Sequence, residues 1–301
     1  MVMIRSGILL IDKPEGPSSA QVVGRVKRIV GARKVGHLGT LDPFASGLLL
    51  VGVNEGTKIA DIFLSAAKSY SGLMVLGVAT DSQDATGKIV EERPVPTVGD
   101  AELRALEAKF TGTLTQVPPM FSALKKDGVR LYRLARQGKE VPREPRSIRI
   151  DALSLRRRSL AEIEFDVTCS RGTYVRTLAA DMGKDLGCGA HLKTLRRTAC
   201  GQLTIAQAVT PDELEKRGVT APVPLISLAV ALGHLQAVQW PSRLISRLRL
   251  GQQELLAQIG QPQAGERLAR VLDQRGELAA LAEWTEDLPR RRWRLLRVFQ
   301  E

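Results

Sequence analysis

The pattern of apolar and polar positions predicts a chain in which strands and helices are interleaved. Residues 7–12 (GILLID) form an apolar run typical of a buried strand, and the Pro and Gly residues that follow it mark a turn. Ser18 or Ser19 can then cap a helix in which valines recur at helical spacing until Gly31. The chain is therefore expected to begin with a strand, a turn and an amphipathic helix.

Further along, strand-like and helix-like patterns of apolar residues continue, but without a regular strand–helix–strand repeat. Alternating or continuous apolar runs predict strands at 69–80, 146–159, 160–172 and 192–205. Apolar residues at helical spacing predict helices at 57–66, 97–112, 175–186 and 210–218. Thr97 and Asp100 resemble a capping box at the start of the second of these helices. The irregular order favours a mixed α/β or α+β sheet over a doubly wound one.

The pattern changes near residue 236. Beyond it, short apolar runs predicted as strands are separated by Gly and Pro signals, and the chain closes with the basic stretch RRRWRLLRVF. About sixty-five residues are too few for a large fold but suffice for a small β-barrel packed on the main body. A chain of 301 residues also exceeds the usual size of one domain. We therefore expect one domain at 1–236 and a second at 237–301.

Basic residues outnumber acidic ones, with 44 Lys and Arg against 32 Asp and Glu and a formal net charge of +12. An excess of this size indicates a polyanionic partner, because neutralising phosphates releases condensed counterions. Nucleic acid is the first candidate and a membrane surface is the second. Membrane binding would need a basic amphipathic helix with a strong apolar face, or a lipidation signal, and the sequence has neither. No apolar run is long enough to span a bilayer, so we expect no membrane contact.

Cysteine and histidine usage gives no sign of a metal site. Cys169, Cys188 and Cys200 show no CxxC spacing, and an odd number of thiols fits a reducing compartment. The chain has only three His as well, so the Cys and His spacing typical of zinc sites is absent. Residues 1–14 carry a charge inside their apolar stretch and lack a small-residue cleavage site, which argues against a secretion signal. These observations predict a cytoplasmic protein without a metal or cofactor.

One short stretch, GHLGTLDPFASG at 36–47, concentrates residues that could take part in chemistry. It matches neither of the glycine-rich phosphate-binding patterns nor a hydrolase nucleophile elbow. His37 and Asp42 are its titratable residues, and its three glycines would let a bulky ligand approach the backbone of the expected loop. Asp42 also has an ordinary explanation, since an Asp before Pro43 commonly caps a turn.

A single carboxylate in a basic protein without a metal restricts the reactions that Asp42 could perform. Hydrolysis of a glycosidic bond normally needs two carboxylates flanking that bond. One carboxylate is enough if the leaving group stays bound and is used again. An isomerase acting on a nucleoside within RNA meets this condition.

Five segments of the chain, taken in order, carry a resemblance to one enzyme family. The segments are DKPEGPSS (12–19), GHLGTLDPFASGLL (36–49), KSYSGLMVLG (68–77), PPMFSALKKDGVRLYRLARQG (118–138) and SRGTYVRTLAADMGKDLGCGAHLKTLRRTACG (170–201). They are similar to the motifs of the TruB family, the bacterial tRNA pseudouridine-55 synthases, and the similarity spans nearly all of 7–215. The resemblance implies the pseudouridine synthase fold, an α+β fold with a mixed, largely antiparallel sheet flanked by helices. It also implies that the small C-terminal β-barrel is an RNA-binding domain of the PUA type.

The resemblance implies a role for Asp42. This residue matches the catalytic carboxylate of the family, which acts where N1 of uracil is bonded to C1′ of the ribose. An ionised Asp42 could attack C1′ or remove a ribose proton to start elimination, and the sequence leaves both routes open. Arg176 matches a family arginine that would sit against Asp42 and favour its charged form. Without the resemblance, Arg176 would pass for a solvated surface residue.

The resemblance also implies a pocket for a uracil that has been flipped out of the RNA loop. Tyr70 matches the tyrosine that stacks on the flipped base, and Tyr174 and Leu195 match positions that line the same pocket. His37 would enter the space left by the extruded base, a role that suits an aromatic polar ring rather than a titrating base. Each residue has an ordinary alternative: a core tyrosine, a tyrosine at the start of a helix, a core leucine and a turn histidine.

Two groups of basic residues lie on segments that carry the resemblance. They are Lys125, Lys126, Arg130, Arg133 and Arg136 in the first group, and Arg196 and Arg197 in the second. We expect both groups to face the backbone of the bound RNA.

Together these observations predict an isomerase that converts uridine to pseudouridine at position 55 in the TΨC loop of tRNA. Its expected partner is the T arm of tRNA, and we expect a monomer without a cofactor or an obligatory protein partner. One alternative is the guide-RNA-dependent relative of archaea and eukaryotes, against which the compact tail and the lack of long Lys-rich extensions argue. The other alternative is a tRNA-folding chaperone in which RNA binding is the main role.

Overall fold

Among the described residues, the strands form one large sheet, one four-stranded sheet and two short hairpins. The computed structural model describes residues 5–217, 222–263, 265–286 and 292–300. The strands are β1 (Gly7–Lys13), β2 (Val35–His37), β3 (Ser46–Val53), β4 (Lys68–Leu76), β5 (Val78–Thr80), β6 (Ile89–Glu92), β7 (Gly112–Gln116), β8 (Lys125–Lys126), β9 (Val129–Arg130), β10 (Arg146–Arg157), β11 (Glu162–Cys169), β12 (Ala190–Cys200), β13 (Leu203–Thr204), β14 (Gln236–Gln239), β15 (Leu268–Leu272), β16 (Leu278–Thr285) and β17 (Arg292–Val298).

Helices flank the large sheet and contribute to the C-terminal part. The α-helices are α1 (Ser19–Val30), α2 (Ala60–Ser65), α3 (Asp100–Phe110), α4 (Leu131–Arg136), α5 (Val175–Asp185), α6 (Pro211–Lys216), α7 (Leu228–Ala231) and α8 (Ser242–Arg249). Short 3₁₀ helices occupy Asn54–Ile59, Ile205–Gln207 and Gln253–Ile259. Within the described ranges, no helix is long and apolar enough to cross a bilayer.

The large sheet has the strand order β1-β3-β12-β4-β11-β10-β7, with β2 paired to β3 and β13 paired to β12. Its neighbouring strands are antiparallel except for β3 and β12, which run parallel where Ser46 faces Arg196 and Gly47 faces Arg197. This topology confirms the expected α+β fold with a mixed, largely antiparallel sheet. The parallel pair brings the start of β3, and with it the GHLGTLDPFASG motif, against β12.

Helix α1 forms as its sequence pattern predicts. Ser18 caps the helix and forms a reciprocal capping box with Gln21: the Gln21 amide donates to Ser18 Oγ at 3.3 Å, and the Ser18 amide donates to Gln21 Oε1 at 2.8 Å. The side chains of Val22 and Val26 are buried against the sheet, and Gly31 ends the helix with a φ of 63°. A left-handed φ at this position is why glycine follows the last valine.

Other elements differ from their predicted form. Helix α3 begins at Asp100, and the amide of Gly99 donates to Glu102 Oε2 at 2.8 Å, so the predicted capping box of Thr97 and Asp100 is wrong. The strand predicted at 69–80 is broken into β4 and β5 because Gly77 adopts a φ of 86°, which an extended strand does not allow.

The C-terminal strands form a sheet in the order β14-β15-β16-β17. The pattern predicted only strands in this region, but α8 and the 3₁₀ helix at Gln253–Ile259 lie between β14 and β15. Ile245 and Leu248 are the buried side chains of α8, and their spacing of three is a helical one that the strand prediction overlooked.

The two sheets share a hydrophobic core. Ile8 and Leu48 of the large sheet pack in the same cluster as Leu281 and Phe299. The C-terminal sheet also has a cluster of its own, in which the rings of Trp284 and Trp293 meet edge to face with centroids 5.4 Å apart. Lys58 Nζ donates to the carbonyl of Val298 at 3.0 Å, which ties the end of the described chain to the 3₁₀ helix after β3.

Candidate active site

The loop that joins β2 to β3 carries Asp42 in a tight turn. The carbonyl of Asp42 accepts a hydrogen bond from the amide of Ala45 at 3.1 Å, so the expected turn is present in the backbone. The residue before it is fixed by the start of α1, where Ser19 Oγ donates to the carbonyl of Leu41 and accepts from its amide, both at 2.8 Å. Ser19 is buried at the start of α1, so these two hydrogen bonds fix the backbone of Leu41 and thereby the position of Asp42 next to it.

Lys13, at the end of β1, holds a neighbouring loop against this turn. Its side chain is fully buried, and Nζ donates to the carbonyls of Pro14 and Pro17 at 2.8 Å and of Pro43 at 3.2 Å. Burial lowers the pKa of the Lys13 ammonium to about 8, and the negative charge of Asp42 opposes that shift. Lys13 therefore supports the turn that carries Asp42.

Arg176 is the partner of the Asp42 carboxylate. The guanidinium Nε lies 2.9 Å from Asp42 Oδ2, and the two side chains are 5% and 41% exposed, respectively. The remaining guanidinium nitrogens donate to backbone, Nη1 to the carbonyl of Ser82 and Nη2 to the carbonyl of Phe121, both at 2.7 Å. A buried cation in a fixed orientation thus stabilises a carboxylate that still reaches solvent.

A second carboxylate, Asp84, lies on the other side of Arg176 and was missed by the motif analysis. Asp84 Oδ2 is 3.6 Å from Arg176 Nη1, and its side chain is 6% exposed. Its other oxygen accepts from the Ser82 hydroxyl at 2.8 Å and from the amide and hydroxyl of Thr86 at 3.0 and 2.6 Å. Arg176 therefore pairs with one buried carboxylate, Asp84, and one that reaches solvent, Asp42. The only sequence feature that could have drawn attention to Asp84 is the polar loop after β5.

Tyr174 stands immediately before α5, and a buried amide fixes its backbone. Gln116 at the end of β7 accepts from the Tyr174 amide at 2.8 Å and donates to the Tyr174 carbonyl at 3.1 Å. Burial raises the pKa of the half-buried Tyr174 phenol, so the ring stays neutral at physiological pH. These two hydrogen bonds with Gln116 also fix the start of α5 and hence the direction of the Arg176 side chain. A lone glutamine at a strand end gives no sequence signal for this role.

Tyr70 and Leu195 lie on adjacent strands of the large sheet. Tyr70 of β4 is opposite Arg197 of β12, and Leu195 is opposite Gly72, so all four positions belong to one face of the sheet. Leu195 is buried and Tyr70 is half-buried, and burial raises the pKa of the Tyr70 phenol. This is the face from which Arg197 reaches the loop that carries Asp42.

His37 is the last residue of β2, at the edge of the same loop. Burial lowers the pKa of its imidazole, and the positive charge of Arg197 lowers it further, so the ring is neutral at physiological pH. Its Nδ1 is buried and has no hydrogen-bond partner among the residues that the structure describes. A buried, unsatisfied ring nitrogen is suited to bonding a group supplied by a ligand.

One glycine of the motif serves the sheet. Gly47 has a φ of 99°, and a Cβ placed on it would lie 2.4 Å from the carbonyl oxygen and 2.8 Å from the amide nitrogen of Arg197. The expectation that the motif glycines make room for a ligand is therefore wrong for Gly47. This position allows the backbones of β3 and β12 to approach each other in their parallel pairing.

The two basic groups have different environments. All members of the first group are exposed, on the β8–β9 hairpin and on α4. In the second group, the Arg196 side chain is 42% exposed, whereas Arg197 does not face the surface as expected. Arg197 is buried, with an exposure of 3%, and Arg196 forms a two-pronged ion pair with Asp12 at 2.6 and 3.1 Å. Each guanidinium nitrogen of Arg197 donates to a backbone carbonyl, which holds this side chain inside the fold.

In the ranges that the structure covers, no three His, Cys, Asp or Glu side chains cluster closely enough to hold a metal ion. The site instead offers a solvent-reaching carboxylate with a buried guanidinium behind it, neutral aromatic rings, and a neutral imidazole with a free nitrogen. Such a set can supply a nucleophile or a base, together with surfaces for stacking and hydrogen bonding to a flat polar group.

Comparison with known proteins places the chain in a family. Residues 27–175 match the model described as TruB family pseudouridylate synthase (N terminal domain), and residues 176–221 match the tRNA pseudouridylate synthase B C-terminal domain. The tRNA pseudouridine synthase B of Geobacter sulfurreducens is 44% identical over 307 residues, covering 97% of this chain and 99% of that protein. The protein of the same name from Geotalea uraniireducens is 50% identical over 232 residues, covering 76% and 75%.

Solved structures agree with these matches. A chain in the crystal structure of a Cbf5-Nop10-Gar1 complex is similar with a TM-score of 0.74 and 25% identity, covering 98% of this chain and 85% of that one. The archaeal box H/ACA sRNP Nop10-Cbf5 complex contains a chain of the same fold, with a TM-score of 0.71. The full-length identity to the bacterial relatives confirms the resemblance found in the motifs: the chain belongs to the TruB family of tRNA pseudouridylate synthases.

Proposed function

We propose that the protein converts uridine 55 in the TΨC loop of tRNA to pseudouridine, with Asp42 as the one catalytic carboxylate. The observation that carries this proposal is the pairing of a solvent-reaching Asp42 with the buried Arg176. The names of the full-length relatives support tRNA as the substrate, and the motifs of the family support position 55. The protein acts in this proposal as a cytoplasmic monomer, without a cofactor or an obligatory protein partner.

The reaction exchanges one bond to the ribose for another. The bond between N1 and C1′ breaks, uracil turns while bound, and a bond forms between C5 and C1′. N1 gains a proton and C5 loses one, so the product has the composition of the substrate. Asp42 either attacks C1′ or removes a ribose proton, and both routes need the charged form that Arg176 stabilises. The leaving uracil remains bound, which is why a second acid flanking the bond is unnecessary.

The target uridine must leave its loop before it can reach Asp42. In our proposal the flipped uracil stacks on Tyr70, and Tyr174 and Leu195 line its pocket. His37 occupies the space that the base vacates, where its unsatisfied Nδ1 can bond the opened loop. A neutral imidazole suits this position, because it provides both a stacking surface and a hydrogen bond without carrying a charge into the stack.

We also propose that 1–236 is the catalytic domain and that 237–301 is an RNA-binding domain of the PUA type. The separate tryptophan cluster of the C-terminal sheet supports an independent unit. Exposed arginines on β17 support an RNA-binding surface, namely Arg292, Arg294 and Arg297. Such side chains would bind phosphates of the tRNA without reading its sequence.

An unmodified tRNA transcript labelled with tritium at C5 of uracil tests this function. Because C5 loses its hydrogen, we expect the purified protein alone to release one tritium per tRNA, and mass spectrometry of nuclease fragments to find pseudouridine at position 55. A transcript with cytidine at position 55 is the control and should release none. Turnover that needs an added guide RNA would instead support the guided relative. Faster tRNA folding without any turnover would support the chaperone.

Replacing His37 with Ala is expected to slow the enzyme without silencing it. Loss of one stacking and hydrogen-bonding side chain should lower kcat/KM by about 10-fold, which corresponds to the usual effect of removing a ring that stacks on a base. Single-turnover tritium release at several protein concentrations measures it. His234→Ala, at an exposed position, is the matched control. Complete loss of turnover would show that His37 takes part in the chemistry.

A further inference from the structure

We propose that Arg197 is a positioning residue of the active site, which holds the two limbs of the Asp42 loop at a fixed spacing and locks them to the strand that faces Tyr70. This inference rests on the role proposed for Asp42. It gives Arg197 a positioning role in place of the contact with RNA that its sequence context predicts.

Each side-chain nitrogen of Arg197 donates to the backbone of this loop or to the start of β3, which follows it. Nε donates to the carbonyl of Leu48 at 2.7 Å, Nη1 to that of Thr40 at 3.2 Å, and Nη2 to that of Gly39 at 3.2 Å. Two of these carbonyls precede Asp42 and one follows it. The guanidinium is a rigid plane, so the three bonds together fix the distance between the limbs on either side of Asp42.

The backbone of Arg197 holds the same loop from the other direction. Its amide and carbonyl face Gly47 in the parallel pair of β3 and β12, at the close approach that only glycine permits. On the other edge of β12, Arg197 is opposite Tyr70. One residue therefore joins the end of the Asp42 loop, the loop interior and the tyrosine proposed to stack on uracil. A shift of Arg197 would therefore change the distance between the Asp42 carboxylate and the base stacked on Tyr70.

The positive charge of Arg197 is buried and unpaired among the described residues. Within 5–217, 222–263, 265–286 and 292–300, no acidic side chain forms an ion pair with Arg197, although it is buried. A buried cation without a counter-ion is costly, so a fold that needed only a backbone clamp would be better served by a neutral donor. Its positive charge acts on His37 and on Tyr70, two of the rings proposed to contact the RNA.

Neighbouring residues of β12 provide a matched experiment. We expect Arg197→Gln to lower kcat by about 100-fold, since a misplacement of about 1 Å at a reacting group has an effect of that size. The affinity for tRNA should stay within threefold of the parent. Arg197→Lys keeps the charge but loses the planar fork, and should recover part of the rate. Lys193→Gln, which removes the exposed ion pair with Glu162 further along β12, should leave kcat unchanged.

Two readouts that do not depend on turnover separate positioning from plain stability. The imidazole pKa of His37, followed by NMR, should rise in Arg197→Gln and stay near the parent value in Arg197→Lys and Lys193→Gln. Amide exchange in the loop peptide 38–48 should quicken in Arg197→Gln while exchange in β10 and β11 stays unchanged. If the parent releases no tritium from tRNA, the proposed function fails, and these two measurements still decide the role of Arg197.

Some results would overturn the inference. A kcat within threefold of the parent for Arg197→Gln would show that the clamp does not position Asp42. Equal losses of kcat and tRNA affinity would place Arg197 in RNA binding. If Arg197→Gln does not fold, Arg197→Lys carries the test, and a Lys variant with both parent kinetics and parent exchange in 38–48 would contradict the need for a planar three-carbonyl clamp.

Discussion

Asp42→Asn is expected to abolish pseudouridine formation, with a rate loss of more than about 10⁴-fold, as is usual when the group that starts the chemistry is removed. The amide has the shape of the carboxylate, and its oxygen can still accept from Arg176 Nε, so the turn and the loop should keep their structure. A neutral amide can neither attack C1′ nor remove a ribose proton. Binding of tRNA should therefore stay within threefold of the parent.

Single-turnover tritium release and filter binding at matched ionic strength measure these two quantities separately. Asp100→Asn, at the exposed start of α3, is the control, because it makes the same loss of charge far from the site. A residual rate above about one hundredth of the parent would exclude Asp42 as the catalytic group, given how steeply turnover falls when such a group is removed. Loss of binding together with turnover would show that the carboxylate acts mainly on the fold of the loop.

Arg176→Gln is expected to affect both activity and stability. The substitution removes the cation between Asp42 and Asp84 and leaves the carbonyls of Ser82 and Phe121 without their donors. Breaking a buried pair by removing one partner typically costs about 3 kcal/mol of unfolding free energy. The rate should fall by about 100-fold or more, because the negative charge on Asp42 loses its fixed donor.

Urea unfolding and single-turnover kinetics on the same preparations check this prediction. Arg176→Lys should be intermediate in both, since it restores the charge without the planar fork. The double variant with Asp42→Asn is informative as well: its loss of stability should be smaller than the sum of the two single losses, because an unpaired carboxylate is no longer left behind. Parent kinetics in Arg176→Gln would contradict the assigned pairing.

Local features of the sequence predicted local structure well. Helix α1 follows from a capping serine, spaced valines and a closing glycine, all within thirteen residues or so of one another, and the structure has that helix. The turn at Asp42 and Pro43 was likewise visible, because the residue types that favour a turn act over three or four positions. Where two nearby residues could cap the same helix, as Thr97 and Gly99 could at α3, the prediction chose the wrong one.

The residues that position Asp42 and its surroundings could not be found from local patterns. Arg176 became a candidate through the family resemblance alone, and Gln116, Asp84 and Arg197 were missed or assigned to another role. Each acts across a long stretch of chain, such as the hydrogen bond that joins Gln116 to Tyr174 over 58 residues. Which residues meet at such distances depends on the register of the large sheet, and register is set by tertiary packing. A buried arginine is indistinguishable from a surface one until the register is known.

The parallel pair of β3 and β12 has a consequence for the order of folding. Ser46 and Arg196, which face each other there, are 150 residues apart in the chain. Contacts of such separation form late, because the entropy of closing the loop is lost before they can stabilise anything. At the usual pace of synthesis, roughly ten seconds pass between the two strands leaving the ribosome. During that time the Asp42 loop lacks its contacts with Arg197. A nascent chain that already contains every motif of the first half therefore still lacks an assembled catalytic centre.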